Sequence, residues 1–136
     1  DSYNNRVLLW NTFPTRSGQP ADVVLGQPGF TTRAAATSAS GLNNPSAVTS
    51  TGQQLFVTDT LNHRVLVWNS LPSRAAAPAD HVLGQANFTT ASSVDTATGA
   101  PSARSLNEPG GLTLAWPYVV VSDTSDHRVL LWRGTP

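Results

Sequence analysis

Asp59-Thr60-Leu61-Asn62-His63-Arg64-Val65-Leu66-Val67-Trp68 decides the fold, because the chain writes it three times. Asp1-Ser2-Tyr3-Asn4-Asn5-Arg6-Val7-Leu8-Leu9-Trp10 precedes it by 58 residues, and Asp123-Thr124-Ser125-Asp126-His127-Arg128-Val129-Leu130-Leu131-Trp132 follows it by 64. Periods of this order mark solenoids, propellers and arrays, in which each repeat is one supersecondary unit that needs neighbours to bury its faces.

The similarity runs outward from that core. Pro20-Ala21-Asp22-Val23-Val24-Leu25-Gly26-Gln27 matches Pro78-Ala79-Asp80-His81-Val82-Leu83-Gly84-Gln85, and Phe30-Thr31-Thr32 matches Phe88-Thr89-Thr90, all at 58. Leu42-Asn43-Asn44-Pro45 then matches Leu106-Asn107-Glu108-Pro109 at 64. The six-residue difference therefore falls in Thr31–Gly41 and Thr89–Ser105, which are expected to be surface loops because an insertion there disturbs nothing else.

The complete repeat holds four short apolar runs, Ala47–Ser50, Gln54–Thr58, Arg64–Trp68 and Asp80–Gly84. Their length, their Val, Leu, Phe and Trp content and the turn residues between them read as strands. No stretch carries a sustained helical period. Short connections make sequential antiparallel pairing the default. Two such runs fall in the first copy (Arg6–Trp10, Asp22–Leu25) and three in the last (Gly111–Leu114, Tyr118–Val121, Arg128–Trp132).

The third run is apolar on both faces. Side chains alternate across a strand, so Val65 and Val67 point one way and Leu66 and Trp68 the other. A strand of this kind is sandwiched, and stacked four-stranded blades around an axis supply that arrangement without helices.

These residues carry a family resemblance. Pro45-Ser46-Ala47-Val48, Leu55-Phe56-Val57-Thr58-Asp59 and Asn62-His63-Arg64-Val65-Leu66-Val67-Trp68 together resemble an NHL repeat. Pro109 through Trp132 repeats the pattern with Asp126-His127-Arg128 in the signature, while the first copy has Asn4-Asn5-Arg6 there. The resemblance implies an all-β fold of β-propeller blades, each of four antiparallel strands, and a partial NHL-type propeller at this length. Residues 1–41 then hold the second half of a first blade with its loop, 42–105 a complete second blade with its long loop, and 106–136 the first three strands of a third.

The chain has 136 residues, whereas a closed propeller of this repeat length needs about 240–480. A wedge of just over two blades leaves two apolar sheet faces open. Its expected partners are the remainder of a longer propeller chain, ranked first, then other copies of itself or a larger assembly. The two open faces are expected to be built from Val7, Leu9, Val129 and Leu131.

Formal charge is zero, Arg supplies every positive side chain, and no basic stripe exists, so nucleic-acid binding is not expected. No apolar run approaches a membrane span. Cys is absent, which removes disulfides, thiolate metal sites and Cys nucleophiles. Low charge with Ser-, Thr- and Ala-rich loops points to a secreted or cell-surface protein.

Asp59/Arg64, with Asp1/Arg6 and Asp123/Arg128, is expected to brace the turn between two strands as a bidentate ion pair, because it recurs once per repeat. His63 and His127 occupy equivalent sites, but a zinc centre needs three or four converging ligands and the first copy has Asn5 instead. His81, where the first copy has Val23, reads as solvent-facing. Asn87-Phe88-Thr89 fits a glycosylation sequon. Trp10, Trp68 and Trp132 read as core between blades. Trp116, ahead of Pro117, reads as an exposed aromatic contact. No nucleophile elbow, phosphate loop or zinc-protease motif occurs. No catalytic, cofactor-binding or metal-binding residue is assigned, and no cofactor is expected. The expected function is a non-catalytic binding or scaffolding segment mediating protein–protein or surface interactions. The alternative is a piece of a propeller lyase or hydrolase whose active site lies partly in other blades.

Overall fold

The computed structural model describes residues 1–134. The last two positions of the 106–136 unit lie outside the described residues. The chain is all-β and builds three antiparallel sheets, with no α-helix among the described residues. β1 (Val7–Leu9) and β2 (Val23–Leu25) form the first sheet. β3 (Pro45–Ser50), β4 (Leu55–Asp59), β5 (Arg64–Trp68) and β6 (His81–Leu83) form the second, paired in chain order. β7 (Pro109–Ala115), β8 (Tyr118–Asp123) and β9 (Arg128–Arg133) form the third.

The nine expected strands are present, with edges moved by a few residues. Asp80–Gly84 contracts to β6, and Gly111–Leu114 grows to β7. Growth has a local cause. β3 and β7 carry the same register shift, between Pro45 and Val48 and between Pro109 and Leu112. A hydroxyl from the neighbouring strand fills the broken ladder: Thr58 Oγ1 accepts from the Ala47 N–H at 2.7 Å, and Ser122 Oγ from the Gly111 N–H at 2.6 Å. The bulge thus leaves no orphan donor.

β5 is buried along its whole length and separates two cores. Leu66 and Trp68 join Leu55, Val57, Val23 and Leu25 on one side, with Val7 and Leu9 packed against them. On the other, Val65 and Val67 join Phe56, Leu106, Val119 and Val121, with Leu130 and Trp132 against them. Each fully buried side chain of this size contributes about 1.5–3 kcal/mol. The two-faced apolar pattern of β5 is therefore matched by a neighbouring sheet on each face.

The outer faces correct one expectation. Val129 and Leu131 are exposed on the third sheet. Val7 and Leu9 instead point into the first core, because they hold the positions of Val65 and Val67 and face the following sheet. Alternation then puts Leu8 and Trp10 on the outer side. Trp10 is 40% exposed and Trp68 only 3%, so of these two repeat-equivalent tryptophans only Trp68 is core. Trp132 is half-buried against the second core.

The two long connections are mostly exposed, but their ends are not. Gly41 and Ser105 are buried, and their carbonyls accept from the buried Arg64 and the half-buried Arg128, respectively.

Candidate functional site

Each Asp-to-Arg turn folds the same way. A 3-10 turn (Ser2–Asn4, Thr60–Asn62, Thr124–Asp126) ends at a residue in the left-handed region, Asn5 at φ 52°, His63 at 54° and His127 at 54°. Asn and His are among the non-glycine residues that tolerate this conformation best. That explains half of why the signature position accepts either.

The other half is a hydrogen bond between sheets. The Asn44 N–H donates to Asn5 Oδ1 at 2.7 Å, and the Glu108 N–H donates to His63 Nδ1 at 3.1 Å. Both side chains present an acceptor at the same reach. His63 must therefore keep Nδ1 unprotonated in this arrangement. Thr60 repeats the pattern of Ser2: Ser2 Oγ donates to the Pro45 carbonyl and Thr60 Oγ1 to the Pro109 carbonyl at 2.9 Å.

The central Asp59/Arg64 pair is fully buried. Arg64 Nε donates to Asp59 Oδ2 at 2.8 Å; its Nη1 donates to the Phe88 carbonyl at 2.6 Å, and its Nη2 to those of Ser38 (2.8 Å) and Gly41 (3.1 Å). The expected bidentate fork is thus absent. One guanidinium edge meets the acid and the other ties both long loops to the sheet, which a lysine, with no planar fork, could not do. Asp59 also accepts from the Asn43 N–H at 2.6 Å and from Asn62 Nδ2 at 2.8 Å. Burial nevertheless holds the Asp59 carboxyl above the ordinary value of 3.8, outweighing the opposing pull of Arg64 and these donors.

The third copy is less well satisfied. Asn4 and Asn62 donate to their aspartates, whereas Asp126 has no N–H to give. Its Oδ2 is buried without a hydrogen bond, 3.6 Å from Arg128 Nη2.

Among the described residues no group of three His, Cys, Asp or Glu side chains converges as metal ligands would. His81 is half-buried, not solvent-facing, and its Nε2 lies 3.2 Å from Asn69 Nδ2. Asn87 is exposed, and its Oδ1 accepts from the Thr89 N–H and hydroxyl, both at 2.9 Å.

Trp116 is 80% exposed, as its lack of a repeat partner indicates. It stands beside Tyr118, also exposed, over a hollow of about 240 Å³ that Leu114, Val119 and the Ser50-Thr51 turn complete. Tyr118 is an addition to the sequence reading, which placed it only in a strand. The Trp-Pro-Tyr run in a turn was the available signal.

No family model matches this chain, and no curated protein matches it either. The roles of the signature residues thus come from geometry alone: the aspartates and arginines tie strands and loops together, and Asn5 and His63 tie neighbouring sheets.

Proposed function

We propose that this chain is a non-catalytic binding or scaffolding segment built of stacked NHL-type propeller blades, acting at a surface or outside the cell. One observation carries the reading. The aspartate and arginine of the signature recur once per sheet and bond to each other and to backbone, as Asp59 and Arg64 do, and His63 is bonded to the next sheet. Apolar and aromatic side chains stand among the exposed ones: Val129, Leu131, Trp10, Trp116 and Tyr118. Exposed apolar area of this kind marks interaction surfaces rather than reaction centres.

Blade stacking is supported by the repetition of the joint. First-to-second and second-to-third contacts use equivalent residues, Asn5 with Asn44 and then His63 with Glu108. A leucine, Leu42 or Leu106, also sits so close to Gly26 or Gly84 that a Cβ there would lie 2.7 Å from its Cδ1. Units that repeat their interfaces stack around an axis or along a line. Strands of four per repeat favour the axis.

Metal analysis of the purified protein, with an experimental structure, tests this. The reading expects no stoichiometric ion and one constant rotation relating successive sheets. A bound ion held by His63 or His127 would overturn the non-catalytic part, and unequal rotations would overturn the propeller part.

A further inference from the structure

The connections that follow β2 and β6 fold alike. After β6, Gln85 Nε2 donates to the His63 carbonyl at 2.8 Å and to the Ser92 carbonyl at 2.7 Å, and the Ser92 N–H returns to Gln85 Oε1 at 3.0 Å. After β2, Gln27 Nε2 donates to the Asn5 and Ala34 carbonyls at 3.0 and 2.8 Å. Between these staples Phe88 packs against the first core, and its carbonyl accepts from Arg64 Nη1, as that of Phe30 does from Arg6 Nη1. The loop is fixed at its foot, and the residues on either side of Phe88, Asn87 and Thr89, are exposed.

One position separates the two loops here: Gly29-Phe30-Thr31 becomes Asn87-Phe88-Thr89. The turn does not need the asparagine, since Thr32 Oγ1 donates to the Gly29 carbonyl at 3.0 Å just as Thr90 Oγ1 donates to that of Asn87 at 3.2 Å. Asn87 therefore adds chemistry to a turn that closes without it. Its Oδ1 accepts from the Thr89 N–H and hydroxyl, both at 2.9 Å. Its Nδ2 makes no hydrogen bond among the described residues. The two bonds draw electron density toward Oδ1, which makes an Nδ2 proton easier to remove. An exposed Asn-x-Thr whose middle residue is not proline is the acceptor pattern for N-linked sugar.

We propose that Asn87 is a modification site, which takes an N-linked oligosaccharide from a lipid-pyrophosphate donor. Nδ2 attacks the anomeric carbon of the sugar. The new C–N bond forms as the bond from that carbon to the phosphate oxygen breaks; the pyrophosphate leaves with the electron pair, and the Nδ2 proton passes to a carboxylate of the transferase. Nothing is oxidised or reduced. The fold accommodates the product, because Asn87 is exposed and its hydrogen bonds stay within the turn, while Phe88 and Arg64 keep the loop anchored. This deepens the extracellular part of the reading above and rests on it, since N-linked sugar marks surface loops of secreted proteins.

The test expresses the 136-residue chain behind a secretory signal in cells that attach N-linked sugar. Mass spectrometry then reads the secreted chain and its tryptic peptide 75–104, in which Asn87 is the only asparagine. The expected result is one glycan on that peptide, released by a peptide N-glycosidase with conversion of Asn87 to aspartate. Asn87→Gln and Thr89→Ala should each abolish it, and Thr89→Ser, which keeps the hydroxyl, should retain it. The deciding result comes from the unsubstituted chain, so a misfolded variant cannot mask it: secreted chain with peptide 75–104 unmodified would overturn the acceptor. A glycan that persists in Thr89→Ala, or that the N-glycosidase leaves in place, would overturn it as well. The added signal imposes the route, so these failures leave the extracellular reading untouched. The natural protein found in the cytosol would instead sink that reading, and this proposal with it.

Discussion

Replacing each signature arginine by methionine turns the three repeats into one another's controls. Met keeps the unbranched stem and removes the charge and every donor. At Arg64 the loss strands the Asp59 carboxylate in a site with zero exposure and strips donors from the carbonyls of Phe88, Ser38 and Gly41. Breaking a buried ion pair by removing one partner costs about 3–5 kcal/mol, and the carbonyls add to this wherever water cannot reach them. A chain of this length has about 7–20 kcal/mol of total stability. Arg64→Met is therefore expected to remove a large share of it. Arg6 and Arg128 are 19% and 27% exposed and pair with their aspartates at 2.6 Å each. Asp1 is also 31% exposed, so solvent screening reduces the first pair to about 0–1 kcal/mol and one lost carbonyl bond brings Arg6→Met to about 1–2 kcal/mol; Asp123 is fully buried, so Arg128→Met is expected to fall between Arg6→Met and Arg64→Met. Urea unfolding at one fixed protein concentration measures all three, with the slope checked for constancy. Equal midpoint shifts at positions 6, 64 and 128, or a negligible shift at 64, would show that burial does not set the worth of this pair and would refute the reasoning.

Three other outcomes are expected. Asp126→Asn should stabilise the protein by about 1–2 kcal/mol, since it supplies the amide that Asn62 gives Asp59 and removes a buried unbonded carboxylate oxygen; a lower melting temperature would contradict this. Trp68→Ala should cost about 3–5 kcal/mol, whereas Trp10→Ala, at a site already 40% exposed, should cost less than half as much by the same denaturation assay. The Asp59 carboxyl should titrate above 3.8 when followed by carbon NMR. Because its folded value is raised, the stability it contributes is complete below the unfolded pKa and declines as pH rises through the folded one; a midpoint at or below 3.8 would reverse that sign.

Much of the site's role was legible without coordinates. Repetition itself separated structure from chemistry, because an Asp-Arg pair that recurs in every copy is more economically a brace than a reaction centre. Repetition was silent on what differs between copies. The Asn5-for-His63 exchange looked like a lost ligand until the fold showed both as acceptors on the next repeat's backbone, a contact made across about 40 residues of chain. Bidentate pairing failed for a related reason: the second edge of Arg64 is claimed by loop carbonyls more than 20 residues away.

By itself the amino-acid sequence determined the strands, their order and the two-faced burial of β5, since these follow from local alternation, turn residues and short connections. Only the tertiary structure decided which face of each strand meets a neighbour. Alternation states that Val7 and Leu8 point opposite ways, but not which way the next sheet lies. That direction is a property of how sheets stack, and it placed Val7 inside and Trp10 outside.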